Sequence, residues 1–128
     1  MKPARVDELL AEVRSSLPRR PTADDLPALF ARGALVIDIR PIDQRERDGE
    51  LPGAIVIDRN VLEWRLDPTS PDRIAEASDP DREMVIVCNE GYASSLAAAS
   101  LQQLGLTRAT DLHGGFQAVI TASTDRTI

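Results

Sequence analysis

The stretch MVIVCNEGYASSLAAASL, residues 84–101, decides the fold. An apolar, β-branched run ends on Cys88, the one cysteine of the chain, and reads as a strand buried on both faces. Leu96, Ala97, Ala99, Leu101 and Leu104 recur at helical spacing, so a helix is predicted over 94–104, ended by Gly105. Between them lies the short glycine-bearing loop CNEGYAS. Strand, loop and helix in that order form the unit of a parallel α/β sheet, in which ligands gather beyond the carboxyl ends of the strands. Cys88 stands at that end.

From the residues alone Cys88 has two readings. A free cysteine can be a small buried hydrophobe. It can also be a nucleophile, because Gly91 frees the loop to turn successive N–H groups inward and the following helix adds positive charge at its N-terminus. Both effects favour thiolate over thiol and predict reactivity near neutral pH. The same cradle suits a second anion, such as a persulfide sulfur.

Outward from this unit the pattern repeats. ALVIDI (34–39), AIVID (54–58) and ATDL (109–112) read as further strands, the first two buried. Helices are predicted over 4–17, from Thr22 to Arg32, over 59–67 and over 116–120, with a short one at 72–78. Thr22 caps its helix with Asp25 three residues on. Residues 41–48 fit a helical turn or a loop, GELPGA (49–54) is a turn, and the polar end TASTDRTI is expected to fray. Alternating strands and helices predict an α/β domain with a mostly parallel sheet of four to five strands and helices on both faces. The apolar stripe of the first helix suits packing on the sheet or pairing with a second copy; the oligomeric state is left open.

The bulk properties agree with one packed domain. The chain has 128 residues, 42% hydrophobic and 28% charged, with aromatics at only 3%, so aliphatic side chains must fill the core. A net charge of −6 argues against nucleic acid or an anionic membrane as partner. A single cysteine excludes an internal disulfide and suits a reducing compartment, and the charged first 20 residues do not resemble a secretion signal, so a cytoplasmic location is expected. One cysteine and one histidine make no zinc site, and no phosphate-binding or dinucleotide-binding glycine motif is present. His113, in LHGGF, reads as a turn residue rather than a base. Trp64 fits the core or the wall of a pocket.

Four segments in order resemble the single-domain rhodanese, or thiosulfate sulfurtransferase-like, family: LVIDIR, GELPGA, VIVCNEGYASS, and LAAASLQQLGLTRATDLHGGFQAV. Glu50 replaces the histidine usual in the second, and Val119 stands where many members carry tryptophan. The resemblance implies a rhodanese-like three-layer domain at 22–122, an N-terminal amphipathic helix at 1–21 as an extension, and a tail at 123–128. It implies Cys88 as nucleophile, with the loop Asn89, Glu90, Gly91, Tyr92, Ala93 and Ser94 holding a persulfide. No cofactor or metal is implied. The partners would be a small sulfur donor such as thiosulfate and an acceptor, either cyanide or a thiol, free or on a protein.

Related phosphatases close a longer loop with arginine. Ala93, Ser94 and Ser95 stand here instead, which disfavours phosphatase or arsenate reductase activity. A non-catalytic binding or regulatory module is the alternative, because the loop carries Glu90 and no Lys or Arg. The cation for an anionic donor is then expected from Arg59, or secondarily from Arg65; the competing role for Arg59 is pairing with Asp58 or Glu63. Asp38 and Arg40 end the first strand and read as structural, Asp38 accepting backbone N–H groups and Arg40 pairing with Asp43 or Glu46.

Overall fold

The computed structural model describes residues 2–125. Four strands, β1 (Leu35–Asp38), β2 (Ile55–Val56), β3 (Met84–Val87) and β4 (Ala109–Asp111), form one sheet in the order β2-β1-β3-β4, with every pairing parallel. The helices are α1 (Arg5–Ser16), α2 (Leu26–Ala31), α3 (Ile42–Asp48), α4 (Leu62–Leu66), α5 (Ala93–Gln103) and α6 (Gly115–Asp125). Short 3-10 turns at Ala23–Asp25, Arg59–Val61 and Ala75–Ala77 complete it.

The central strands are β1 and β3, and all four residues of each are buried. Their period of two divides the core. Leu35, Ile37, Met84 and Ile86 face one layer with Leu62, Leu66, Ala97, Ala98 and Leu101. Val36, Val85 and Val87 face the other with Leu26, Leu29, Leu112 and Phe116. Each fully buried Leu or Ile contributes roughly 1.5–3 kcal/mol, and with so few aromatics these aliphatics dominate the interior. The three-layer α/β architecture expected from the sequence is thus present.

Several expectations change in detail. The strand foreseen at 54–58 pairs over only two residues, with Ile55 half-buried and Val56 exposed, because β2 lies at the sheet edge. Residues 42–48 form a regular helix. The last helix continues past Ile120 to Asp125. There Thr121 and Thr124 return their hydroxyls to the carbonyls of Gln117 and Ile120, at 3.1 and 3.0 Å, which lets polar residues stay helical. Residues 126–128 of the foreseen tail lie outside the described residues. The cap at Thr22 is present: its N–H donates to the Asp25 carboxylate at 2.8 Å. Helix α1 packs on α5 rather than on the sheet, and no helix among the described residues is long and apolar enough to cross a membrane.

Candidate active site

Strand β3 delivers Cys88 to the carboxyl edge of the sheet, 7% exposed. The loop then turns back over the sulfur. The N–H groups of Gly91 and Ser94 donate to Cys88 Sγ at 3.1 and 3.3 Å, and the thiol donates to Ser94 Oγ at 3.1 Å. Gly91 holds φ +87°, and a Cβ there would come within 2.8 Å of Gly114 N, so glycine is required. Among the described residues the N–H groups of Asn89, Glu90, Tyr92 and Ala93 have no acceptor in the chain. Helix α5 begins at Ala93, adding its positive terminus. The inward-turned loop foreseen from the sequence is therefore formed, and it brings two donors to the sulfur.

A polar network backs the loop. Ser94 and Ser95 both donate to Asp111 Oδ2, at 2.7 and 2.8 Å. Asp111, fully buried at the end of β4, is paired with Arg20 through Nε at 2.7 Å and Nη2 at 3.2 Å. Arg20 Nη2 also donates to the Gly91 carbonyl at 3.1 Å, and Arg14 Nη2 donates to the same oxygen at 2.6 Å. On the far side the turn before α6 grips the loop: Phe116 N–H donates to the Cys88 carbonyl and Gln117 N–H to that of Asn89, at 2.9 and 3.1 Å.

In front of Cys88 lies an open cleft of about 360 Å³, lined by Arg40, Gln44, Arg59, Glu90, Tyr92 and Ala93 among others. Glu90 and Tyr92 are exposed at its rim. Arg59 reaches the cleft and also pairs with Glu63, its Nη1 lying 2.8 and 3.0 Å from the two carboxylate oxygens. Burial pushes the Glu63 carboxyl up, but bonds from the Ser100 hydroxyl and Arg59 outweigh it and hold the group below its ordinary value. Both anticipated roles of Arg59 are thus compatible in place. Arg65 is not brought to the cleft: its Nη1 donates to the Asp72 carbonyl at 2.7 Å. Trp64 is neither core nor cleft wall; it is 59% exposed on α4 beside Leu104. His113 lies in its turn, its N–H on the Pro21 carbonyl at 2.8 Å, and is not among the residues lining the cleft.

Asp38 and Arg40 are both buried, and they pair with each other rather than with Asp43 or Glu46. Residues two apart on extended chain share a face, which places the guanidinium over the carboxylate. Arg40 Nε and Nη2 donate to Asp38, the closest contact 2.8 Å, and Asp38 also accepts the Arg40 N–H at 3.0 Å. The guanidinium stacks 3.7 Å from the centre of the Phe116 ring, and Nη2 donates to the Gly49 carbonyl. Its Nη1 is buried without a partner among the described residues.

Sequence reasoning missed Arg14, Arg20, Ser95 and Asp111. The one available signal was Asp111 itself, an acid inside an otherwise apolar strand pattern; a buried carboxylate demands a cation. Nothing local names Arg20, 91 residues away in the chain.

The model of the rhodanese-like domain matches residues 22–122. The thiosulfate sulfurtransferase GlpE of Stutzerimonas stutzeri (strain A1501) is 32% identical over 90 residues, 70% of this chain and 73% of that protein. Among solved structures, a Rhodopseudomonas palustris CGA009 protein of unknown function, described as a "possible tyrosine phosphatase", superposes with a TM-score of 0.82 at 32% identity, covering 96% of this chain and 94% of that one. That share is too large to leave out α1. The human single-domain sulfurtransferase TSTD1 superposes with a TM-score of 0.68 at 25% identity, covering 81% of this chain and 96% of that one.

Proposed function

The chain belongs to the rhodanese-like domain family, and from that membership we propose that it is a sulfurtransferase carrying sulfane sulfur as a persulfide on Cys88. The observation that carries the reading is the pair of N–H groups donated to Cys88 Sγ, with four further N–H groups of the same loop left without an acceptor among the described residues. Such a nest holds negative charge on sulfur without a titratable base. A Cys–His pair is not needed, and His113 does not supply one.

The chemistry is two displacements. The Cys88 thiolate attacks the outer sulfur of a donor such as thiosulfate. The new S–S bond forms as the donor's S–S bond breaks, and sulfite leaves with the bonding pair. The Cys88 persulfide then carries its charge on the terminal sulfur, which the unpaired amides of Asn89, Glu90, Tyr92 and Ala93 receive. An acceptor thiolate or cyanide attacks that sulfur, and Cys88 thiolate departs. Each step conserves charge and needs no cofactor. Arg59 meets the anionic donor at the cleft mouth.

A phosphatase reading has one observation in its favour, the description of the Rhodopseudomonas relative. It needs a guanidinium closing the loop on phosphate. Residues 89–95 contain none, and the arginines that touch the loop, Arg14 and Arg20, grip a carbonyl oxygen behind it.

Incubation with thiosulfate followed by intact-mass measurement tests the proposal. The expected result is gain of one sulfur atom by the native chain and none by Cys88→Ala. Absence of an adduct with thiosulfate and with organic persulfides favours the non-catalytic module, and turnover of an aryl phosphate favours the phosphatase.

A further inference from the structure

Helix α1 is an odd attachment. None of its residues is buried, and its apolar Val6 and Leu9 are 59% and 47% exposed. Besides packing on α5, it makes polar contacts directed at one place. Arg14 donates from Nη2 to the Gly91 carbonyl at 2.6 Å and from Nε to Ser95 Oγ at 3.0 Å, and its guanidinium lies 5.8 Å from the centre of the Tyr92 ring. Arg20, in the connection after α1, adds a second donor to the Gly91 carbonyl while its charge is balanced by Asp111.

That carbonyl belongs to the peptide joining Gly91 to Tyr92. In a trans peptide the C=O and N–H point in opposite directions, so whatever draws the Gly91 oxygen backward turns the Tyr92 N–H forward. Beside the two arginines that oxygen has a long 3.4 Å contact from the Ser95 hydroxyl, which donates more closely to Asp111 at 2.8 Å. Glycine rotates about its backbone bonds at little cost, and a half-turn of this peptide would aim a carbonyl oxygen where an N–H had been. An oxygen facing an anionic sulfur repels it; an N–H binds it.

Resting on the reading of Cys88 as sulfur carrier, we propose that Arg14 and Arg20 are positioning residues that lock the Gly91–Tyr92 peptide with its N–H toward the cleft. Both lie outside the matched domain region 22–122. The extension thus completes the sulfur-binding loop from behind, touching neither the donor nor the acceptor.

The test uses the full chain with Arg14→Ala, Arg14→Lys and Arg20→Lys. Losing one charge-assisted bond to the carbonyl is expected to slow single-turnover persulfide formation in Arg14→Ala by about tenfold. The KM for thiosulfate stays within about twofold, because Arg14 does not line the cleft. Alkylation of Cys88 by iodoacetamide at neutral pH slows in parallel. Arg14→Lys, which keeps a donor on the carbonyl, recovers part of both rates, and Arg20→Lys slows them less than Arg14→Ala does. A loss of thermal stability with unchanged persulfidation and alkylation rates overturns the proposal and leaves α1 a packing element. Should the native chain take up no sulfur from any donor, the sulfurtransferase reading fails, and the alkylation comparison still decides the lock: slowed supports it, unchanged overturns it.

Discussion

Gly115 is the position at which the least chemical change should disturb the site most. It is the first residue of α6, at the end of the turn from β4, with φ +62°, and it is pressed against the Cys88 loop. A Cβ built there would lie 2.6 Å from the Cys88 carbonyl oxygen and 2.7 Å from both C and O of Asn89. These are backbone atoms that cannot swing aside, and the two oxygens are the acceptors for Phe116 and Gln117 N–H. Gly115→Ala therefore carries two costs. The left-handed conformation costs an L-residue about 1–2 kcal/mol. Forcing a methyl group into occupied space adds about 1–3 kcal/mol. Gly105 separates them, since it has φ +85° and nothing within 4 Å of the place a methyl group would take. Gly105→Ala should show the conformational cost alone.

In a chain of this size 1 kcal/mol moves the melting temperature by about 4 °C. Gly105→Ala is then expected to lower it by about 4–8 °C and Gly115→Ala by about 8–20 °C. Thermal unfolding followed by circular dichroism measures both. Cys88 alkylation, followed below the transition, should slow only in Gly115→Ala, because only that substitution pushes on the Cys88–Asn89 backbone. Equal losses in the two variants, or an unaltered alkylation rate in Gly115→Ala, would refute the claim that the β4–α6 turn braces the loop by close backbone contact.

Three further outcomes are expected. Arg40→Ala strands Asp38 as an uncompensated buried charge and should cost about 3–5 kcal/mol in denaturant unfolding, whereas a loss under about 1 kcal/mol would mean the pair does not hold the strand end. Arg59→Ala should raise the KM for thiosulfate while leaving Cys88 alkylation unchanged; an unaltered KM assigns Arg59 to its pair with Glu63 alone. Glu63 has a folded-state pKa below its ordinary 4.5, so its stabilising contribution is complete above that pH and disappears as pH falls through the lower folded value. The stability gap between the native chain and Glu63→Gln should accordingly be constant near neutrality and close in acid, and a gap that widens on acidification contradicts the assignment.

What the sequence disclosed follows from the range of each interaction. Strands β1 and β3 were legible because burial on both faces leaves an unbroken apolar run, and α5 because its apolar residues recur at helical spacing. The cysteine, its glycine and the helix start lie close together in the chain, so their cradle could be read from one short segment. Strand β2 was overread because edge position depends on the order of strands, which no local pattern encodes. Arg40 found Asp38 rather than Asp43 or Glu46 because burial on one strand face outweighs the reach of a neighbouring helix. The rear of the site was invisible for a stronger reason: Arg14 and Arg20 meet Gly91 across 77 and 71 residues of chain.

The separation of charge fits the proposed carriage of a sulfur anion to an acidic protein with Glu90 at its cleft. Among the described residues, the arginines near Cys88 are already engaged: Arg40 with Asp38, Arg59 with Glu63, Arg20 with Asp111, and Arg14 on the Gly91 carbonyl. What faces the sulfur is backbone N–H. Such donors bind negative charge without neutralising it, and their number, rather than a formal cation, sets how firmly the anion is held. A persulfide must be held long enough to be transferred and released readily enough to turn over, and dipoles serve both needs better than an ion pair would. On this logic Arg14 and Arg20 act at one remove, through the orientation of a peptide, and a loop without a basic residue still suits the proposed sulfur carriage.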